Sequence, residues 1–248
     1  MLSVYAYFGF NLPAEERFTL TKKYFQGVAV WRGADFRLDS GIAEHEQDNQ
    51  LHDKKMKVSY AHAPTNMTAY LNNGHYYRKD TLKTYKLWIR GCKERNIPIL
   101  VIHAENLTDY GIENLQELAN FAQEEGVKLA VENTVGAAPF DKLFERVKNI
   151  YFCYDSCHAA MAGDLKGNMI TAYADRLIAT NLSDSDGKND LHLLPGDGEI
   201  DWESVAGKLR AIKYSGDYTL EAFAGINDLD AERFLAEGAD RMKNIFAI

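Results

Sequence analysis

The chain is short of cysteine, of long apolar runs and of basic charge, and each shortage removes a class of protein. Three cysteines among 248 residues, Cys92, Cys153 and Cys157, cannot build a disulfide framework. Reduced thiols suit the cytoplasm, and Cys153, inside an apolar run, is expected simply to pack. No stretch is long and apolar enough to span a bilayer, and the N-terminus carries no signal-peptide pattern. The expectation is a cytoplasmic protein without a membrane partner. Lysine and arginine total 28 against 36 acidic residues, a net charge of −8. That balance argues against a strongly basic surface for nucleic acid, though not against a local basic patch. No GxGxxG follows the first apolar run, which removes the usual nucleotide site of an open doubly wound sheet. Gly196 and Gly198 resemble a phosphate cradle, but no P-loop lysine follows them, so a turn is expected there.

What the chain does have is alternation. Hydrophobic residues make up 46% of it and charged residues 26%, enough for a sizeable core under an ordinary surface. Residues 4–10, 28–31, 58–61, 97–102, 129–134, 150–154, 177–182 and 218–223 read as short buried strands. Helical stripes lie between them. Pro13 followed by Glu15 and Glu16 is a helix start, and Leu82, Tyr85, Ile89 and Cys92 recur at three-and-four spacing. Leu115, Leu118, Ala119 and Ala122 repeat the pattern up to Gly126, and Pro139 opens a helix packed through Phe140, Leu143, Phe144 and Val147. Asp201 caps a helix carrying Trp202, Val205, Leu209 and Ile212, and Phe234, Leu235, Met242 and Ile245 mark a closing one. Residues 35–55 are polar and read as loop plus a short helix. About eight strand–helix units in some 250 residues is the signature of a (β/α)8 TIM barrel, with residues 1–248 forming a single domain. An open doubly wound sheet is the main alternative.

The polar residues that interrupt this pattern fall in one kind of place. The segment FCYDSCHA, residues 152–159, leaves a buried strand on Asp155 and His158, a hard oxygen and an imidazole three residues apart. Taken alone, the pair could equally be a salt bridge capping the strand. His62, His103, Glu132, Asn181 and Glu221 also stand at or near strand ends. In a barrel the C-terminal strand ends ring one mouth, so these residues would share a pocket despite their distance in sequence. Buried charges cost several kcal/mol each unless paired or coordinated, so several in register favour a metal site over packing.

Four pieces of sequence carry a resemblance: HAP at His62, VENT at Val131, YDSCHA at Tyr154, and DLHLLPGDGEID from Asp190. On them the chain resembles, over its full length, the superfamily of xylose isomerase-like barrels that joins sugar phosphate isomerases and epimerases with endonuclease IV. The resemblance implies a divalent cation held by Glu132, Asp155 and Glu221. The two glutamates would also move a substrate proton. At the position where the epimerases place a histidine ligand stands Asn181, whose amide oxygen suits Mg or Mn better than Zn. The endonuclease branch implies a wider metal set, in which His62, His103, His158 and the pair Asp190 and His192 would join the shared acids.

The expected activity is isomerisation or epimerisation of a sugar or sugar phosphate, with Mn, Mg, Co or Zn as cofactor. Proton transfer next to a carbonyl would pass through an enediolate stabilised by the cation. His158 would orient a substrate hydroxyl, and His62 and Trp31 would line the pocket, though Trp31 could equally pack in the core. Two other readings stand beside this one. One is metal-assisted phosphodiester hydrolysis at an abasic site; the other is a metal-binding barrel left inactive by Asn181. A homo-oligomer is compatible with all three. His45 and His52 lie in a polar stretch and are expected to be solvated; His75 sits in a loop and is expected to be exposed rather than to touch a sugar.

Overall fold

The structure, a computed structural model, describes all residues except 34–41, 73, 75, 135–139 and 225–228. His75 and Pro139 therefore lie outside the described residues. Eight strands form the scaffold: β1 (Leu2–Tyr5), β2 (Gly27–Trp31), β3 (Lys57–His62), β4 (Ile99–His103), β5 (Lys128–Glu132), β6 (Ile150–Asp155), β7 (Leu177–Leu182) and β8 (Tyr218–Leu220). Each pairs in parallel with the next, and β8 returns to β1, so the sheet closes as a (β/α)8 barrel. Closure leaves no free sheet edge, and the parallel strands are buried on both faces, as their apolar runs require.

The helices are α1 (Ala14–Tyr24), α2 (Glu44–Asp53), α3 (Thr68–Leu71), α4 (Arg78–Glu94), α5 (Asp109–Glu125), α6 (Asp141–Arg146), α7 (Ser156–Met161), α8 (Asn168–Ala172), α9 (Trp202–Ala211) and α10 (Ala231–Phe246). Their stripes seat where the sequence pattern puts them. In α4 the buried residues include Leu82, Tyr85, Ile89 and Cys92, and in α10 Phe234, Leu235 and Met242. Asp201 caps α9 by accepting from the Ser204 amide, and Gly126 ends α5. His45 and His52 are exposed on α2.

The strands that fall furthest short of their apolar runs are β1 and β8. β1 stops at Tyr5, because Gly9 takes φ +94° and the segment before it turns to accept a hydrogen bond from the Ala224 amide. A side chain at Gly9 would meet that amide nitrogen at 2.6 Å, so the turn needs glycine. β8 stops at Leu220, yet the Glu221 amide still donates to the Leu182 carbonyl, which holds Glu221 against β7.

Register sets the geometry of the mouth. Trp31 pairs with His62, His103 with Glu132, and Asp155 with Asn181, so three pairs of neighbouring strand ends lie side by side. Beneath them the barrel interior is filled by Tyr5, Ala29, Tyr60, Val101, Ala130, Cys153 and Ala179. Cys153 is thus a packing residue, and all three cysteines are buried and free. This plug closes the floor and directs the polar strand ends towards the loops.

Candidate active site

Ten residues singled out from the sequence meet at the C-terminal mouth, and Glu132 is their hub. Its Oε2 faces Nε2 of His62 at 3.0 Å and accepts from Nδ2 of Asn181 at 2.7 Å. Its Oε1 lies 3.2 Å from Nδ1 of His158 and 3.4 Å from Nε2 of His103. Burial alone would raise this carboxyl, but the imidazoles of His103, His158 and His62 outweigh it and hold Glu132 well below the usual carboxylate range. Both ring nitrogens of His62 have partners, since Nδ1 faces the Ala63 carbonyl at 2.6 Å. His62 therefore meets the cavity with its ring, against which Trp31 packs at a centroid distance of 4.3 Å.

Asp155 and Glu221 complete the acidic floor. Asp155 is fully buried; its Oδ1 accepts from the His158 amide at 2.7 Å, capping α7, while its backbone is gripped by Asn133. The Asp155 Oδ2 and Glu221 Oε2 atoms are buried and meet no hydrogen-bond donor among the described residues. Burial, and then the charges of Asp155 and Glu132, push Glu221 well above the ordinary carboxylate range. Three buried carboxylates with two undonated oxygens call for a positive charge between them. Ligand atoms of Glu132, Asp155 and His158 lie within 4.8 Å of one another, and so do those of Asp155, His192 and Glu221. The donor set fits a divalent cation bound mainly through oxygen.

Asp190 and His192 enter from the loop after β7. Asp190 Oδ1 lies 3.0 Å from Nε2 of His192 and 3.6 Å from Nε2 of His158, and these imidazoles hold Asp190 far below the usual range. Burial opposes protonation of His158, but Asp155, Asp190 and Glu132 together raise it. Cys157 Sγ sits 3.4 Å from the same Asp190 oxygen.

A residue that strand-end reasoning passed over organises this loop. Asp184 is fully buried and accepts from the amides of Gly196 at 2.7 Å and Ile200 at 3.1 Å, and from Nε1 of Trp202 at 2.7 Å. The Gly196 and Gly198 segment is accordingly a turn wrapped on a carboxylate. A Cβ at Gly198 would lie 2.4 Å from Asp184 Oδ1. Asp184 and Leu193 also pair through their backbones, which sets His192 at φ +45° beside the cavity. Tyr7, Thr65 and Phe223 line the cavity as well, and composition gave no sign of them. The cavity holds about 350 Å³.

The family profile described as xylose isomerase-like TIM barrel matches residues 18–245. The chain belongs to that family. Among curated relatives, the uncharacterized protein y4fM of Sinorhizobium fredii is 36% identical over 99 residues, 37% of this chain and 32% of that relative's length. Fructoselysine 3-epimerase of Shigella flexneri is 24% identical over 243 residues, covering 85% of this chain and 86% of the enzyme. Among solved structures, a D-tagatose 3-epimerase-like protein superposes with a TM-score of 0.79 at 18% identity, over 100% of this chain and 97% of its own. D-psicose 3-epimerase, solved in the presence of D-fructose, gives a TM-score of 0.78 at 14% identity over 100% of both chains. At such identities the structural likeness speaks for the barrel alone.

Proposed function

We propose that this member of the xylose isomerase-like family is a divalent-cation-dependent sugar isomerase or epimerase. The observation that carries the reading is the floor of the mouth, where Glu132, Asp155 and Glu221 are buried together and two of their oxygens meet no donor among the described residues. Glu132, Asp155 and Glu221 would hold the cation, whose charge would stabilise the enediolate formed next to a sugar carbonyl. A cavity of about 350 Å³ has room for a monosaccharide, with Trp31 as an aromatic wall. Names of relatives and neighbours, fructoselysine 3-epimerase and D-psicose 3-epimerase among them, support a ketose or ketose derivative as substrate.

The two glutamates share the proton work. Glu132, held ionised by three imidazoles, takes the proton from the carbon next to the carbonyl. Glu221, the other buried glutamate of the floor, returns one. In the reverse reaction the two exchange roles. His158, poised between Glu132 and Asp190, orients a substrate hydroxyl. Free thiols at all three cysteines agree with a cytoplasmic enzyme.

One observation favours a second reading. His62, His103, His158 and His192 all reach the same mouth, a set rich enough for more than one metal ion and for phosphodiester hydrolysis. Metal analysis of protein purified without chelators tests the first premise. About one tightly held divalent ion per chain is expected. Several ions of zinc per chain would move the balance to hydrolysis, and none would remove both.

A further inference from the structure

Asn181 ends β7 opposite Asp155, fully buried, where its carbonyl oxygen could be expected to reach a cation. Its hydrogen bonds point elsewhere. Nδ2 donates to Glu132 Oε2 at 2.7 Å, and Oδ1 accepts from the hydroxyl of Tyr60, with Cys153 Sγ at 3.7 Å from the same oxygen. Tyr60 is itself 1% exposed and lies on β3, two residues below His62 and on the same inward face. Turning the amide over would set its oxygen against the Glu132 carboxylate, two acceptors at hydrogen-bond distance, and would strip Glu132 of a donor. The amide therefore has one stable orientation, and in it the carbonyl oxygen is already used.

Resting on the cation site proposed above, we propose that Asn181 is a positioning residue rather than a ligand. Tyr60 fixes the Asn181 amide, the amide fixes the Glu132 carboxylate, and the cation takes its protein oxygens from Glu132, Asp155 and Glu221. This explains why an amide is tolerated at a position otherwise suited to a ligand. It also predicts a preference for Mn or Mg over Zn, because a set dominated by carboxylates suits hard cations.

The test uses manganese alone, with no substrate. In crystals of the wild type soaked with manganese chloride, anomalous scattering should place the ion on Asp155, Glu221 and Glu132. Asn181 Oδ1 should remain on Tyr60, well outside the roughly 2.0–2.6 Å of a bond between such a cation and oxygen. In solution, Tyr60→Phe should weaken manganese binding by about 10-fold, the scale on which partners of a ligand act. If Asn181 were a ligand, the Tyr60 hydroxyl would compete for its oxygen, and the same change would leave binding unaltered or tighten it. An Oδ1–Mn bond in the crystal, or an unaltered or tighter constant for Tyr60→Phe, overturns the clamp while leaving the cation site in place. A wild type that takes up no manganese overturns the site and the clamp with it.

Discussion

Asp155 has one carboxylate oxygen capping α7 and the other facing no donor, so a change there separates ligation from folding. Asp155→Ala should abolish divalent-ion binding while circular dichroism still reports a folded barrel; unchanged metal content in that variant contradicts the assignment. Losing the cap itself costs only about 1 kcal/mol. Asn181→His offers a different contrast. An imidazole at the end of β7 beside Asp155 should raise affinity for Zn or Co relative to Mg, because imidazole prefers borderline metals. Competition titrations of the two proteins measure this directly, and identical selectivity would mean that the end of β7 cannot reach the ion.

Strand ends supply most of this site, and one loop completes it with Asp190 and His192. The turn after β7 is wound on Asp184, whose carboxylate satisfies the amides of Ser185, Gly196 and Ile200 and the Trp202 indole at the start of α9. Asp184→Ala leaves those donors, the buried Ile200 amide and Trp202 indole among them, without an acceptor. It should cost about 3 kcal/mol or more in denaturant unfolding, since each orphaned donor is worth roughly 1–3 kcal/mol. Trp202 fluorescence should report the change locally. A loss below about 1 kcal/mol would show that water replaces the carboxylate. Gly198→Ala should fail for a related reason, as its Cβ would press on the same oxygen. None of this was legible in the sequence, because a buried acid that serves a loop has no period. Leu-Ser-Asp marks the position of Asp184, but three of the four donors to its carboxylate come from residues 12 to 18 positions further on. The strand-end residues were legible for the opposite reason. Buried parallel strands tolerate charge only where they leave the barrel, so His62, His103, Glu132 and Asp155 stood out from their apolar runs. The ends of β1 and β8 were hidden, because Gly9 and Ala224 meet across the barrel closure rather than along the chain.

For the whole molecule, the proposed cation site would make stability depend on a bound ion. Anything that binds only the folded state adds RT ln(1 + [L]/Kd), about 2.7 kcal/mol at a hundredfold excess over Kd. For a chain of 248 residues each kcal/mol moves the midpoint by roughly 2–4 °C. Removing the metal with a chelator should therefore lower Tm by about 5–10 °C. Manganese should restore it, and Asp155→Ala should respond to neither treatment. A wild type indifferent to chelator and manganese alike would speak against a resident cation.

Proton transfer by Glu132 and Glu221 next to a sugar carbonyl leaves an isotopic trace that can be read without knowing the product. The wild type, loaded with manganese and incubated in heavy water with a panel of ketoses and ketose phosphates, should place deuterium on the carbon beside the carbonyl of at least one sugar. Glu221→Gln keeps the shape and one possible oxygen ligand but cannot carry the proton. Its exchange should fall by about 10²-fold or more. The same wild-type protein should leave a duplex with an abasic site intact. Nicking of that duplex with no exchange in any sugar would contradict the account and assign the site to phosphodiester hydrolysis.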